Sequence, residues 1–146
     1  MKNLLLSLSL SLISTGFAQA SDWTTDYKAA LAEAKAEKKL VLIEFSGDDA
    51  YGYGKSLNKE VLSQAAFQSY ADKTFVLVRI DLSTTSSLSD NLKQQNAALG
   101  NQFGIQGFPT LLVLNSSEKP IEKIEGYDPG TGANGIVAKF QSVIRN

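Results

Sequence analysis

The sequence predicts a single α/β domain, one mixed sheet carrying helices on both faces. Three observations carry this. Residues 40–45, 75–81 and 110–114 are short, nearly continuous apolar runs, as expected of strands buried on both faces of a helix-covered sheet. The segments around them repeat apolar residues at helical spacing. Neither an internal repeat nor a linker divides the chain, and 146 residues that are 43% hydrophobic and 20% charged make one ordinary globular domain.

The elements follow in order. A leading helix is expected after Asp22, with Thr24 as its N-cap and Asp26 in its first turn. Trp23, Tyr27, Ala30, Leu31 and Ala34 form its apolar face, opposite Lys35, Glu37, Lys38 and Lys39. The first strand, 40–45, runs into a Gly/Asp/Tyr loop at 46–54. A helix should cover about 55–70, with Leu57, Val61, Leu62, Ala65 and Phe67 facing inward. The second strand, 75–81, leads through a Ser/Thr-rich connector at 82–89 to a helix that Ser89 or Asp90 starts and Gly104 caps. The third strand, 110–114, is entered through Phe108-Pro109. Residues 115–119 read as a hairpin turn into a fourth strand at 121–127. Asp128-Pro129-Gly130 turns again, and a last helix runs over about 133–144. The order is β-α-β-α-β-β-α behind a leading helix.

Residues 1–20 are set apart as a signal peptide. Lys2 supplies a positive n-region, an apolar Leu/Ser run follows, and Ala18-Gln19-Ala20 is the small-x-small pattern of a cleavage site. A spanning helix wants roughly 20 apolar residues, and this run is shorter and interrupted by serines. The expected mature domain is 21–146, exported to a periplasmic or extracellular space, with no membrane attachment after cleavage.

Composition removes several classes of chemistry. The chain has no Cys and no His. It therefore supplies no thiol nucleophile, no disulfide and no imidazole base, and the common zinc sites are excluded with them. No metal and no cofactor are expected. With 14 Lys+Arg against 15 Asp+Glu and no basic cluster, nucleic acid is not an expected partner.

The loop after the first strand stands as Phe45-Ser46-Gly47-Asp48-Asp49-Ala50-Tyr51-Gly52-Tyr53-Gly54-Lys55, and Gly107-Phe108-Pro109-Thr110 enters the third strand. In element order and in these two segments the chain resembles the thioredoxin-like family, in particular its exported members whose first core strand ends in a Gly-x-Asp-x-Cys-x-x-Cys loop. The resemblance covers nearly all of 22–145. It places Tyr51 and Gly54 at the two redox cysteine positions, with Gly52 and Tyr53 between them. It makes Phe108-Pro109 the cis-proline loop that lies against the active-site loop, and puts Glu44 where the family often carries a buried carboxylate assisting proton transfer.

The departure from the family pattern sets the expected activity. Disulfide exchange needs an attacking thiolate and a resolving thiol, and neither a phenol nor a glycine replaces them. The expected function is a redox-inactive domain that binds an extracytoplasmic protein or extended peptide through Tyr51, Tyr53, Phe108 and Pro109. Tyr offers large, rigid contact area, and the family's proline loop presents backbone to an extended substrate. Each residue also has a plainer reading. The tyrosines would pack over the loop in place of the cysteines, Pro109 would be structural, Glu44 would be inherited, and Asp48-Asp49 would be a solvated turn. Two further readings stay open: a phosphate- or nucleotide-binding loop using Gly54-Lys55-Ser56 after a Gly-rich stretch, and a structural remnant with no ligand. The phosphate motif wants Gly where Asp49 stands.

Overall fold

The structure, a computed structural model, describes residues 22–144. The expected signal segment lies outside the described residues. The elements are β1 (Trp23–Thr24), α1 (Tyr27–Glu37), β2 (Leu40–Ser46), α2 (Tyr53–Leu57), a π-helical turn (Asn58–Leu62), α3 (Ala65–Thr74), β3 (Phe75–Asp81), α4 (Asp90–Gln102), β4 (Thr110–Leu114), β5 (Pro120–Glu125) and α5 (Gly132–Ile144). They form a five-stranded sheet in the order β1-β3-β2-β4-β5. β1 and β2 run parallel to β3, whereas β4 runs antiparallel to β2 and β5 antiparallel to β4.

Strand alternation divides the core in two, because successive side chains point to opposite faces. Leu42, Leu77, Leu111 and Val113 face one layer, where Leu57, Val61, Phe67, Ile136 and Phe140 from α2, the π turn, α3 and α5 cover them. Val41, Ile43, Phe45, Val78, Ile80 and Leu112 face the other, under Tyr27, Ala30 and Ala34 of α1 and Leu99 of α4. Burial on both faces is why the strand sequences are nearly unbroken apolar runs.

Several expected boundaries move, each for a local reason. Trp23 and Thr24 are a strand on the edge of β3, not helix. Asp26 rather than Thr24 caps α1, accepting from the Ala29 amide at 3.0 Å, while Thr24 Oγ1 accepts from the Asp26 amide. The helix expected at 55–70 begins earlier, at Tyr53, and breaks at Ser63-Gln64. Ser63 Oγ donates to the Asn58 carbonyl at 2.8 Å and Gln64 Nε2 to the Lys59 carbonyl at 2.7 Å, closing the π turn's free carbonyls with side chains. Ala65, expected inward, is exposed at the start of α3. The α4 end matches its expected cap: Gly104 is left-handed at φ 60° and the Ile105 amide donates back to Gly100. β5 ends at Glu125, before the expected 127, because the Gly126 amide turns to donate to the Pro109 carbonyl at 2.8 Å.

One charged pair crosses the first layer. Glu44 of β2 and Arg79 of β3 are register partners, and Arg79 Nε donates to Glu44 Oε2 at 2.6 Å. The Glu44 side chain is 6% exposed and that of Arg79 38%. The Arg79 guanidinium also lies 4.7 Å from the centre of the Trp23 ring, tying the short β1 to the sheet. A second polar tie joins the π turn to the segment before α5. Glu60 Oε2 accepts from the Tyr127 hydroxyl at 2.6 Å and the Gly130 amide at 2.7 Å, and the Tyr127 hydroxyl accepts from the Gly132 amide. The Tyr127 hydroxyl, then the Gly130 amide, hold the Glu60 carboxyl below its usual range.

Two outcomes follow from these ties. Arg79→Ala leaves the Glu44 carboxylate buried without its cation and should cost roughly 2–3 kcal/mol in urea unfolding, less than for a fully enclosed pair because Arg79 is part exposed. The Glu44→Gln/Arg79→Gln double variant should recover much of that loss, and an Arg79→Ala protein as stable as wild type would contradict the pairing. For Glu60, a depressed folded pKa means stability that is present above the ordinary value of 4.5 and is lost as pH falls through the folded value. Stability curves from pH 6 to pH 3 should therefore be flatter for Glu60→Gln than for wild type. Parallel curves would remove this role.

Candidate functional site

The site lies where β2, α2 and the turn into β4 meet. β2 ends at Ser46, and the loop that follows is organised by its own two aspartates. Asp48 reaches across to the 82–89 connector, where its Oδ2 accepts from Thr84 Oγ1 at 2.8 Å and its Oδ1 from the Thr84 amide at 3.2 Å. Asp49 turns inward: Oδ1 accepts from the Tyr53 amide at 3.0 Å and Oδ2 from the Gly54 amide at 2.8 Å. Asp49 thus satisfies first-turn donors of α2, which Gly52, left-handed at φ 73°, cannot do with a side chain of its own. The aspartates fasten the loop: Asp48 stays exposed, as a solvated turn requires, whereas Asp49 is half-buried. The same contacts bear on the phosphate-binding alternative. Two of the amides it requires are already donated to a carboxylate, which also sets negative charge against the incoming anion.

Tyr51 and Gly54, which the resemblance sets at the redox positions, differ in setting. Tyr51 is 82% exposed and Tyr53 40%, with ring centroids 5.8 Å apart. Tyr51 therefore stands out from the loop and does not pack over it. Gly54 sits against Asp49, where an added Cβ would come within 3.1 Å of Oδ2.

The Phe108–Pro109 peptide bond is cis. Pro109 is buried and Phe108 half-buried, so of the four expected contact residues Tyr51 and Tyr53 are the exposed ones. Phe108 is half-buried, and its ring lies across Gly47 so closely that a Cβ there would fall 2.1 Å from it. Any other residue at 47 would displace the ring. Gly107 O accepts from Thr110 Oγ1 and Pro109 O from the Gly126 amide. Between them, the N–H and C=O of Phe108 have no hydrogen-bond partner among the described residues.

These pieces enclose a cavity of about 400 Å³ between α2 and the proline turn, walled by Gly47, Gly54, Phe108 and Pro109. Glu44, Arg79, Asp49 and Lys55 supply its charges, with Asn58 on the rim. Glu44 does reach the site, but its carboxylate is held by a permanently charged guanidinium rather than poised beside a proton donor. A second cavity, of about 510 Å³, opens on the other side of Tyr53 against Ile124, Tyr127 and Ile136. The two adjoin across Tyr53-Gly54 and the Pro109–Gly126 hydrogen bond. Tyr51 lines neither cavity and stands beside them.

Arg79 is the residue that sequence reading missed. Its signal was present: a charge inside the apolar run 75–81 needs a partner, and Glu44 is the one other charge placed inside such a run rather than at its end. Among the described residues, no group of three or more His, Cys, Asp or Glu could hold a metal ion.

Known proteins agree with this fold. The chain is 34% identical over 134 residues to the thioredoxin-related protein DsbJ of Chlamydia pneumoniae, covering 90% of this chain but only 38% of that protein. It is 25% identical over 119 residues to the disulfide bond reductase DsbH of the same organism, covering 82% of this chain and 70% of that one. A solved structure of a DsbH oxidoreductase superposes with a TM-score of 0.79 at 22% identity, over 99% of this chain and 94% of that one. The family model for the thioredoxin-like domain matches residues 27–141, and the chain belongs to that family.

Proposed function

We propose that this chain is an exported, redox-inactive thioredoxin-like domain that binds a protein or an extended peptide across the former active-site face. The observation that carries the reading is the pairing of two features on one edge of the site. Tyr51 and Tyr53 project an aromatic pair into solvent. Beside them, the N–H and C=O of Phe108 are left without partners among the described residues, as an extended chain adding to the turn would need. Export is the reading of residues 1–20, and no described helix is long and apolar enough to cross a membrane. The disulfide reduction named for the relative DsbH requires thiols that this chain does not possess.

Loss of redox activity is expected to be complete. Protein incubated with a dithiol reductant and a protein disulfide substrate should give the uncatalysed rate of reduction, and any turnover above it would overturn that part of the proposal.

Binding is tested by selecting peptides from a random library on the folded protein and measuring their affinity for wild type and for Tyr51→Ala/Tyr53→Ala. Because both rings are exposed, the variant should keep its melting temperature. Its affinity should fall at least about tenfold, the loss typical of an aromatic anchor. Equal affinity for both proteins would move binding to another surface. Failure to recover any binder would favour a structural remnant.

A further inference from the structure

Away from the proline turn, the start of β1 borders a cavity of about 740 Å³ bounded by α1, the end of α3 and the first residues of β3. Its wall carries the carboxylates of Asp22, Glu33, Glu37 and Asp72 against Lys39, the one lining cation among the described residues. Lys39 Nζ lies 2.6 Å from Glu37 Oε2, so that charge is already committed. Carboxylates gathered in one concavity repel one another and favour a cation placed among them.

The sheet gives the cavity a direction. β1 pairs with β3 in parallel, Trp23 beside Leu77 and Thr24 beside Val78. Carried back towards the amino terminus, the same register sets Asp22 beside Val76 and position 21 beside Phe75. Phe75 and Val76 both line the cavity, and among the described residues no strand pairs with them on that side. A strand edge left so offers its backbone groups to a further extended residue. The cavity thus lies on the line along which β1 would continue by one residue.

Resting on the export reading above, we infer that this cavity binds the amino terminus of the mature chain. Hydrolysis of the Ala20–Ser21 bond gives Ala20 a carboxylate and leaves Ser21 with a free amine, which takes up a proton at neutral pH. Ser21 would extend β1 beside Phe75, and its α-ammonium would sit among the carboxylates of Asp22, Glu33, Glu37 and Asp72. Before cleavage the same nitrogen is an uncharged amide and offers those carboxylates no counter-charge. Folding therefore gains this contribution only once the leader is gone.

The test uses the mature protein recovered from the periplasm of an expressing bacterium, with its first residue read by mass spectrometry. A first residue other than Ser21 would overturn the cleavage reading and the docking together. With Ser21 first, selective acetylation of the α-amine should lower the melting temperature at neutral pH by about 2 °C. An amine whose folded pKa is raised contributes stability that is fully present below its unfolded pKa and is lost as pH rises through the folded one. The free α-amine should accordingly titrate at least about half a unit above its ordinary range of roughly 7.7–8.0, and the two forms should become equally stable once pH exceeds that value. Glu33→Gln and Glu37→Gln, both at exposed positions of α1 where folding is not at risk, should each bring the α-amine back towards its ordinary range. An ordinary α-amino titration with equal melting curves would overturn the docking and leave the export reading standing. Should acetylation have no effect while a lysine-rich peptide raises the melting temperature of both forms, the cavity takes a basic partner and its assignment to the terminus falls.

Discussion

β2 is covered on both faces along most of its length, and that constraint governs the rest of the molecule. A strand so placed offers water to none of its side chains, so a charge on it must bring its counter-charge from a neighbouring strand. Parallel pairing with β3 puts Arg79 directly beside Glu44, and the guanidinium reaches onward to the ring of Trp23. A single polar substitution in the core thereby determines what β3 must carry and helps hold the edge strand β1 against the sheet. The same pair forms part of the cavity floor, so a requirement of folding also supplies part of the site's chemistry.

The loop beyond β2 is held in shape by contacts of its own side chains. The start of α2 still needs an acceptor for its first amides, and the Asp49 carboxylate provides it from within the chain. Asp48 fastens the other side of the loop to Thr84, and Phe108 closes over Gly47. The result is a cleft beside a cis proline turn and two exposed tyrosines. Fold by itself does not assign activity. In this family member the same scaffold as DsbH is combined with side chains that offer surface and charge in place of thiols.

The relatives set the scale of the conclusion. The chain spans 38% of the length of DsbJ, so the matching region is a minor part of that protein. The agreement in fold with DsbH, at 22% identity and a TM-score of 0.79, shows that backbone architecture outlasts most of the side chains built on it.

By itself, the sequence determined the class of fold and the absence of thiol chemistry. The strand runs at 40–45, 75–81 and 110–114, the Ser89 and Gly104 caps and the proline turn are local signals, each written in a few adjacent residues. The lack of Cys is a property of composition that no folding can alter. Tertiary structure decided the rest, because it depends on residues far apart in the chain. One break was local and still escaped periodicity: Ser63 and Gln64 take the free carbonyls of the π turn and split the helix expected through 55–70. Trp23 fitted a helical pattern, yet β3 offered its edge to a strand. The partner of Glu44 follows from which strands the sheet brings together, and no local pattern encodes that.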